Sequence, residues 1–290
     1  MSAIAHILAA TDFTEHARNA ALRAAVLAAE QQARLELLHI MHAPSLESLR
    51  PLFPSPASAE QAITEDARRR LEELAATLTA DTGVTPAVSV RLGRVVDEVL
   101  AGAAAADLLV LGARGANPLR DLLLGSTAER LLRKRRQPVL VVNREPTEAY
   151  RRVLVPVDFT PVSAPSLRMA MQLAPAAMFT VLHAFDIPFE GKLWLAGVPD
   201  ERIQEYRARA RQYSLDTIES LIAEAGGDAR RFAAVAELGE AAPLILDQAA
   251  AVDADLIVMG KQNQTLAEEW LLGSVARHVL ASAKCDVLVL

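Results

Sequence analysis

Three glycines and two hydroxyl residues lie within the stretch GARGANPLRDLLLGST at residues 112–127. In order along the chain they are Gly112, Gly115, Gly125, Ser126 and Thr127. A glycine has no Cβ atom, so another group can approach its backbone closely. Successive backbone N–H groups at such a place can hold a phosphate. The stretch therefore predicts either ordinary turns or a site where the backbone meets a ligand.

The sequence STAE at 126–129 allows two interpretations of the helix that starts here. In a capping box, Ser126 accepts a hydrogen bond from the third helical amide and Glu129 accepts one from the cap amide, for about 0.5–2 kcal/mol. In an anion site, the free N–H groups and the positive end of the helix dipole attract a phosphate, and the hydroxyls of Ser126 and Thr127 add donors. Gly112 and Gly115 have no role in capping, so we favour the anion site.

Asp12 lies just after the short apolar run HILAA, and Gly112 ends the run DLLVLG. In open parallel sheets, ligands bind at the carboxyl ends of the strands where the strand order reverses. If the two runs form neighbouring strands, both residues face one crevice. No G-x-x-x-x-G-K-[ST], G-x-G-x-x-G, G-x-S-x-G or H-E-x-x-H motif is present, so the sites that these motifs form are not supported.

The chain repeats itself once. The segment TDFT that contains Asp12 recurs as VDFT around Asp158, 146 residues later, and Gly112 recurs as Gly260, 148 residues later. LLLGSTAERLL at 122–132 likewise recurs as WLLGSVARHVL at 270–280. Because the same segments recur in the same order and at nearly the same offset, the sequence indicates an internal duplication. We therefore expect two domains, residues 1–145 and 150–290, joined near a polar stretch at 143–151.

Each half alternates short aliphatic runs with longer helical patterns. The runs predicted as strands are HILAA, LELLHI, AVSVRL, DLLVLG and PVLVVN in the first half, and RVLVPV, FTVLHAF, AAVAEL, DLIVMG and DVLVL in the second. The predicted helices of the first half span 14–32, 58–82, 94–105 and 126–136. Strands without polar alternation are typical of parallel sheets covered on both faces. The fold class predicted is α/β, with two doubly wound parallel five-stranded sheets.

Two segments do not fit this alternation. Residues 43–60 contain four prolines, which predicts a loop or broken helix. Residues 185–201 hold Phe189, Trp194 and Leu195, which we interpret as a loop over the end of the sheet, with a partner-binding patch as the alternative.

Composition excludes several classes of protein. The net charge of −6 argues against a nucleic-acid partner. Asp97, Glu98 and Asp107 interrupt the longest region rich in Ala, Leu and Val, so no membrane span is expected. The N-terminus lacks the basic start of a secretory signal. The single cysteine, Cys285, permits no intrachain disulfide, so we expect a cytoplasmic, reduced protein and a packing role for this thiol.

Two histidines and a basic run offer weaker hypotheses. His39 and His42 could suggest a metal site, but their spacing on a strand directs the rings to opposite faces. His183 recurs at the position of His39, which indicates a shared structural role. The run RLLRKRR at 130–136 is interpreted as the solvated last turn of a helix rather than a nucleic-acid patch.

The motifs together resemble those of the nucleotide-binding universal stress proteins. The pattern is G-x-x-G, nine residues, then G-[ST], with an early TDFT segment, and the first half matches it completely. The resemblance covers both halves, so the chain is similar to a tandem universal stress protein. It implies an adenine nucleotide α-hydrolase-like fold and an internal pseudo-dimer, in which the last strands, around 138–143 and 286–290, pair with each other.

The resemblance also implies an ATP site in the N-terminal half. Thr11 and Asp12 would lie near the adenine and ribose, and Ile40 against the base. Gly112, Arg114 and Gly115 match the ribose and phosphate loop, whereas Gly125, Ser126 and Thr127 match the helix start that holds phosphates. A divalent ion such as Mg²⁺ accompanies the phosphates in the family, but no residue here identifies itself as its ligand.

The second half departs from the family pattern. Its degenerate site would comprise Asp158, Gly260, Asn263, Gly273 and Ser274. Asn263 stands where the second glycine belongs, and its side chain would occupy space that the phosphates need. Glu268 and Glu269 add negative charge nearby. We expect this half to bind nucleotide weakly or not at all and to serve as the structural partner.

The function that the resemblance implies is a stress-response or signalling module. Its nucleotide state would modulate a surface read by an unidentified protein partner, and assembly into a further homodimer stays open. The alternatives are an enzyme that hydrolyses ATP slowly and a structural tandem without nucleotide. No general base or arginine–magnesium assembly for phosphoryl transfer can be assigned from the sequence.

Overall fold

The computed structural model describes residues 3–42, 56–115, 125–135, 137–146, 148–187, 190–261 and 272–290. The chain divides into two compact units. The N-terminal unit holds the described residues up to Ala149 together with Lys284–Val289, and the C-terminal unit holds Tyr150–Ala283 and Leu290. Within the described residues, no helix is long and apolar enough to cross a membrane.

The N-terminal unit alternates strands and helices as the sequence predicts. Its strands are β1 (His6–Ala10), β2 (Arg34–His42), β3 (Ala87–Gly93), β4 (Leu108–Gly112) and β5 (Val139–Val142). Its helices are α1 (Glu15–Gln31), α2 (Pro56–Thr82), α3 (Val95–Gly102) and α4 (Ser126–Lys134). The loop or broken helix predicted at 43–60 ends earlier than expected, since α2 already begins at Pro56 and proline is tolerated in a first helical turn. The remainder, 43–55, lies outside the described residues.

The first five strands of this unit have the order β3-β2-β1-β4-β5 and are parallel to one another. Every residue of β5 is buried, and so are the first four residues of both β1 and β4. Continuous burial explains why these strands read as unbroken aliphatic runs. The strand order reverses between β1 and β4, whose registers join Ile7 with Leu108 and Ala9 with Val110. The carboxyl ends of these two strands therefore lie side by side.

The C-terminal unit repeats this architecture. Its strands are β6 (Arg152–Pro156), β7 (Met178–Phe185), β8 (Phe232–Leu238) and β9 (Leu256–Met259), in the parallel order β9-β6-β7-β8. Its helices are α5 (Ser163–Leu173), α6 (Glu190–Leu195), α7 (Asp200–Ala225), α8 (Ala241–Ala251) and α9 (Ser274–Ser282). The loop predicted at 185–201 is thus partly helical. Trp194 and Leu195 are exposed, and Phe189 lies outside the described residues.

The last strand, β10 (Asp286–Val289), pairs with β5 in the N-terminal unit. The pairing is antiparallel and joins Val287 with Val141 and Val289 with Val139. This confirms the predicted pairing of the two final strands. It also gives the edge of β5 a hydrogen-bonded neighbour, which removes an exposed strand edge.

A buried ion pair stands at the start of β10. The Asp286 carboxylate accepts a hydrogen bond from Arg23 Nε of α1 at 3.2 Å and another from the Asn143 amide at 2.9 Å. The two charged side chains are 6% and 1% exposed. Arg23 Nη1 also donates to the Glu148 carbonyl oxygen at 2.6 Å. Asp286, at the start of β10, is therefore hydrogen-bonded both to α1 and to Asn143, the residue that follows β5.

The basic run at the end of α4 is not fully solvated, which corrects the interpretation of residues 130–136. Arg135 is only 4% exposed, and its guanidinium donates to the carbonyl oxygens of Ala103 at 2.7 Å and Ala106 at 2.8 Å. Burial lowers the pKa of Arg135 to about 10. These carbonyls belong to the turn that precedes β4. The hydrogen bonds of Arg135 therefore connect the end of α4 to the start of β4, the strand that ends at Gly112. Arg136 lies outside the described residues.

Replacement of Arg135 by alanine is expected to destabilise the protein by about 2 kcal/mol, because it removes two charge-assisted hydrogen bonds to buried carbonyls. Arg133 on the same helix is the matched control. Its ion pair with Glu129, at 2.8 Å, is partly exposed, so Arg133→Ala should cost about 0.5 kcal/mol. Urea unfolding of both variants measures the difference. Equal losses of unfolding free energy in the two variants would show that the Arg135 contacts stabilise the protein no more than a surface ion pair does.

Candidate functional site

The turn after β1 holds Asp12 in a defined position. The Thr14 amide and hydroxyl both donate to Asp12 Oδ1, at 3.1 and 2.6 Å, and the Phe13 amide donates to Thr11 Oγ1 at 3.0 Å. Phe13 adopts a left-handed backbone conformation with φ of 65°, which is uncommon for a bulky residue. Thr14 then caps α1 by accepting from the Ala17 amide. Asp12 Oδ2 is the oxygen that faces Gly115.

His39 has the structural role that its recurrence predicts. Its Nδ1 donates to the Thr11 carbonyl oxygen at 2.8 Å, and its ring lies 4.4 Å from that of Phe13. His183 repeats both contacts, with Val157 at 2.8 Å and with Phe159 at 4.1 Å. Burial lowers the pKa of His39, so the neutral imidazole is favoured. His39 thus stabilises the turn at Phe13 that positions Asp12.

The three glycines serve different purposes. A Cβ atom on Gly112 would lie 2.8 Å from backbone atoms of His16, so this glycine is needed for packing of α1 against β4, independently of any ligand. A Cβ atom on Gly115 would lie 3.1 Å from Asp12 Oδ2. The Gly125 amide donates to the Ala113 carbonyl oxygen at 3.0 Å. This bond brings both ends of the glycine motif together beside Asp12.

The start of α4 is not a capping box, so that interpretation is wrong. The N-cap residue is Gly125, which has no side chain with which to cap, and Ser126 is the first helical residue. The Glu129 carboxylate pairs with Arg133, one turn further along. The N-cap residue thus provides no side-chain acceptor for the first turn of α4. The N–H groups of an uncapped first turn can bind an anion.

One cavity of about 590 Å³ lies at the carboxyl ends of β1 and β4. All nine predicted site residues line it: Thr11, Asp12, Ile40, Gly112, Arg114, Gly115, Gly125, Ser126 and Thr127. Small-molecule pockets measure roughly 300–1,000 Å³, so the volume suits a ligand of nucleotide size. The helix start and Arg114 lie on the wall formed by the glycine motif. The cavity therefore combines donors for an anion with an apolar section.

Apart from Ile40, sequence reasoning missed the apolar section of this cavity. Its further lining includes Leu38, Val95, Val99, Leu111 and Leu131. Val95 and Val99 are four residues apart and therefore share one face of α3. That apolar spacing was a signal in the sequence, but it equally fits packing against the sheet. Only the position of α3 beside the end of β2 shows that this face borders the cavity.

The corresponding cavity in the C-terminal unit is smaller, about 160 Å³. It is lined by Asp158, Gly260 and Gly273, whereas Ser274 is exposed to solvent and Asn263 lies outside the described residues. Asp158 Oδ1 accepts from the Thr160 amide, from the Thr160 hydroxyl and from Ser163 Oγ. In the first half, Gly115 is not among the residues with a left-handed backbone.

Within the described residues, no group of three or more His, Cys, Asp or Glu side chains could hold a metal ion. The phosphates of a nucleotide are suitable ligands for Mg²⁺.

Comparison with known proteins decides the family. The model of the universal stress protein family matches the chain twice, over residues 4–143 and 149–290. The chain belongs to this family. A universal stress protein of Mycolicibacterium smegmatis is 28% identical over 302 residues, which cover 98% of this chain and 96% of that protein. The two matches show that this universal stress protein is a tandem, as the repeat predicts.

Comparison with solved structures bears on the fold. A universal stress protein of Archaeoglobus fulgidus has a TM-score of 0.71 at 19% identity and covers 98% of this chain and 97% of its own, which shows a shared fold. A universal stress protein solved in complex with cAMP is 25% identical, covers 49% of this chain and 98% of its own, and has a TM-score of 0.35.

Proposed function

We propose that the N-terminal unit of this tandem universal stress protein binds ATP or a related adenine nucleotide. The observation that carries the proposal is the convergence of all nine motif residues on one cavity of about 590 Å³. These residues come from four separate stretches of sequence, so local structure alone would not bring them together.

The phosphates would lie at the start of α4. Gly125 is its N-cap, and Ser126 and Thr127 line the cavity at its first turn. The helix dipole and the free N–H groups favour a negative charge here. Arg114 adds a guanidinium to the same wall, and guanidinium groups bind phosphate oxygens in a bidentate manner. Bound Mg²⁺ would offset the phosphate charge.

The base and ribose would occupy the other end of the cavity. Ile40 is only 9% exposed and lies at the end of β2, where Leu38, Val95 and Val99 also border the cavity. These aliphatic side chains can pack against the faces of a purine. Asp12, held by Thr14, lies beside Gly115, where its second oxygen can accept a hydrogen bond from a ribose hydroxyl. Thr11 and His39 keep this turn in place.

We further propose that the protein acts as a binding module, in which nucleotide changes a surface read by a protein partner. Slow ATP hydrolysis and a structural tandem without nucleotide are the outcomes that an experiment must separate. The supporting feature is the wall beside the glycine motif, where the start of α4, two hydroxyls and the Arg114 guanidinium are suited to holding phosphates.

Titration with ATP and Mg²⁺ should raise the unfolding temperature of the full chain. A ligand at 100 times its dissociation constant stabilises the folded state by about 2.7 kcal/mol, which corresponds to about 5–10 °C for a unit of this size. Differential scanning fluorimetry measures the shift, with GTP as the comparison nucleotide, and phosphate release measures turnover. If no adenine nucleotide shifts the unfolding temperature, a structural tandem without nucleotide is favoured. Sustained release of phosphate would favour an enzyme that hydrolyses ATP.

A further inference from the structure

Exposed aromatic side chains are concentrated on α7 of the C-terminal unit and on the short helix before it. Six large hydrophobic side chains are exposed in the described part of the chain, and four of them lie between residues 194 and 213: Trp194, Leu195, Tyr206 and Tyr213. Tyr206 is 51% exposed and Tyr213 is 71% exposed. Exposed aromatic side chains that cluster on one surface are typical of sites where another protein binds.

The two tyrosines alternate with two arginines along one face of α7. The four residues follow one another at intervals of four, three and four positions, and we call them the Arg–Tyr stripe: Arg202, Tyr206, Arg209 and Tyr213. Residues at this spacing are neighbours on a helix surface, and 12 residues span about 18 Å. All four side chains are exposed, whereas α7 is buried through Ile203, Ser214 and Ile218 on another side of the helix. The stripe is therefore not part of the core.

The contacts of the stripe within its own unit are weak. Arg202 pairs with Glu205 at 3.6 Å, but the two side chains are 72% and 54% exposed, so the pair contributes little to stability. Both tyrosine rings face solvent over more than half of their surface. Tyrosine rings offer a large contact area for little loss of side-chain freedom, and arginines stack on such rings. The stripe thus has the side chains of an interface, and its own unit does not cover them.

The order of the stripe is complementary to itself in the antiparallel direction. If a second copy of α7 lay alongside the first, related to it by a two-fold axis between positions 207 and 208, Arg202 would face Tyr213 of that copy and Tyr206 would face its Arg209. Each of the four guanidinium groups would then meet a tyrosine ring, which favours contact. Intervals of four and three residues are also those at which paired helices meet. An interface between identical subunits requires a surface that is complementary to itself in this way.

The parallel direction does not have this complementarity. Arginine would face arginine and tyrosine would face tyrosine, so that like charges would oppose each other. The direction of the pairing is therefore part of the inference.

Acidic residues beside the stripe favour a second copy over a nucleic acid. Glu205 and Asp216 each follow a stripe residue by three positions and are exposed, so they border the stripe on the helix surface. Their carboxylates would repel a phosphate backbone, as would the net charge of −6. In the antiparallel pair, by contrast, Glu205 stands beside Tyr206 and would approach Arg209 of the second copy.

We propose that the Arg–Tyr stripe mediates a weak, antiparallel self-association of this universal stress protein. A single helix face is smaller than a standard protein interface, so we expect a dissociation constant on the order of 0.1–1 mM. The contact uses α7 and leaves the pairing of β5 with β10 in place. It is also independent of the proposed nucleotide function.

Cysteine cross-linking of the full-length chain tests the contact and its direction. A mixture of Arg202→Cys and Tyr213→Cys should form a disulfide-linked dimer at least tenfold faster than either variant alone. In the antiparallel pair these two positions face each other, whereas identical positions lie about 16 Å apart along the helix, too far for a disulfide. The unsubstituted chain, whose Cys285 is 3% exposed, gives the background rate.

Sedimentation velocity measures the association without a cross-link. Replacing Tyr206 and Tyr213 together by serine should weaken the dimer at least tenfold, whereas replacing both by phenylalanine keeps the rings and should preserve it. Met178→Ser removes an exposed side chain of β7 in the same unit and is the matched control, with no expected effect. Because all of these side chains are exposed, the unfolding temperature should change little in any variant.

Other results would overturn the proposal. A wild-type chain that stays monomeric at about 1 mM would show that the stripe does not self-associate. Cross-linking of each variant with itself as fast as in the mixture would exclude the antiparallel arrangement. A dimer that survives the double serine substitution would have to use another surface. Binding of a single-stranded oligonucleotide that is lost in the double serine variant would instead make the stripe a nucleic-acid site.

Discussion

Gly115→Asn is expected to weaken ATP binding at least 30-fold, equivalent to about 2 kcal/mol. A Cβ atom at this position would lie 3.1 Å from Asp12 Oδ2, so the neighbouring carboxylate must move, and the rest of the asparagine side chain would extend into the cavity. The change copies Asn263, which the second half has at the equivalent position. Isothermal titration calorimetry with ATP and Mg²⁺ measures the loss.

Folding should survive this substitution. Gly115 is not among the residues with a left-handed backbone, so asparagine meets no conformational strain there. The unfolding temperature without nucleotide should therefore stay close to that of the wild type. Gly115→Ala provides a graded control, because it adds only the Cβ atom and should weaken binding less. Wild-type affinity of Gly115→Asn for ATP would contradict the placement of the phosphates beside this glycine.

Asp286→Ala is expected to destabilise the N-terminal unit by about 3–5 kcal/mol, because it leaves the buried Arg23 guanidinium without its carboxylate. It also removes the acceptor of the Asn143 amide. For a unit of this size, the loss corresponds to a fall in unfolding temperature of about 10 °C. Thermal unfolding followed by circular dichroism measures it.

Matched variants separate the ion pair from general effects of charge. Asp253 pairs with Arg152 at 2.6 Å, but its side chain is 72% exposed, so Asp253→Ala should cost less than about 1 kcal/mol. Asp286→Asn keeps a hydrogen-bond acceptor and should fall between the two. If Asp286→Ala and Asp253→Ala lowered the stability equally, the buried ion pair of Asp286 with Arg23 would contribute no more to stability than an exposed one.

Much of the fold was readable from the sequence because its signals are local. The unbroken aliphatic runs coincide with buried strands such as β4 and β5, and the repeat predicted the tandem that the family match shows. The neighbouring positions of β1 and β4, required for Asp12 and Gly112 to share a crevice, are confirmed. The role of the nine residues in binding nucleotide stays a prediction.

The errors arose where one local pattern fits two tertiary environments. STAE has the residues of a capping box, but the hydrogen bond from the Gly125 amide to Ala113 sets the helix start one residue earlier. Arg135 looks like part of a solvated basic run, yet the turn at Ala103–Ala106 supplies carbonyls that bury it. Gly112 looks like a place for a ligand to approach, and it does line the cavity, but its lack of a Cβ atom also lets the backbone of α1 approach closely.

The sequence by itself determined the class of fold, the duplication and the residues that could hold a phosphate, because hydrophobic period, repeat offset and the lack of a Cβ atom are properties of short segments. Only the tertiary structure decided that β10 completes the N-terminal unit, that Asp286 pairs with Arg23 across 263 positions of sequence, and that the two equivalent cavities differ in volume. Those outcomes depend on how distant side chains fill a shared space. No single segment carries that information.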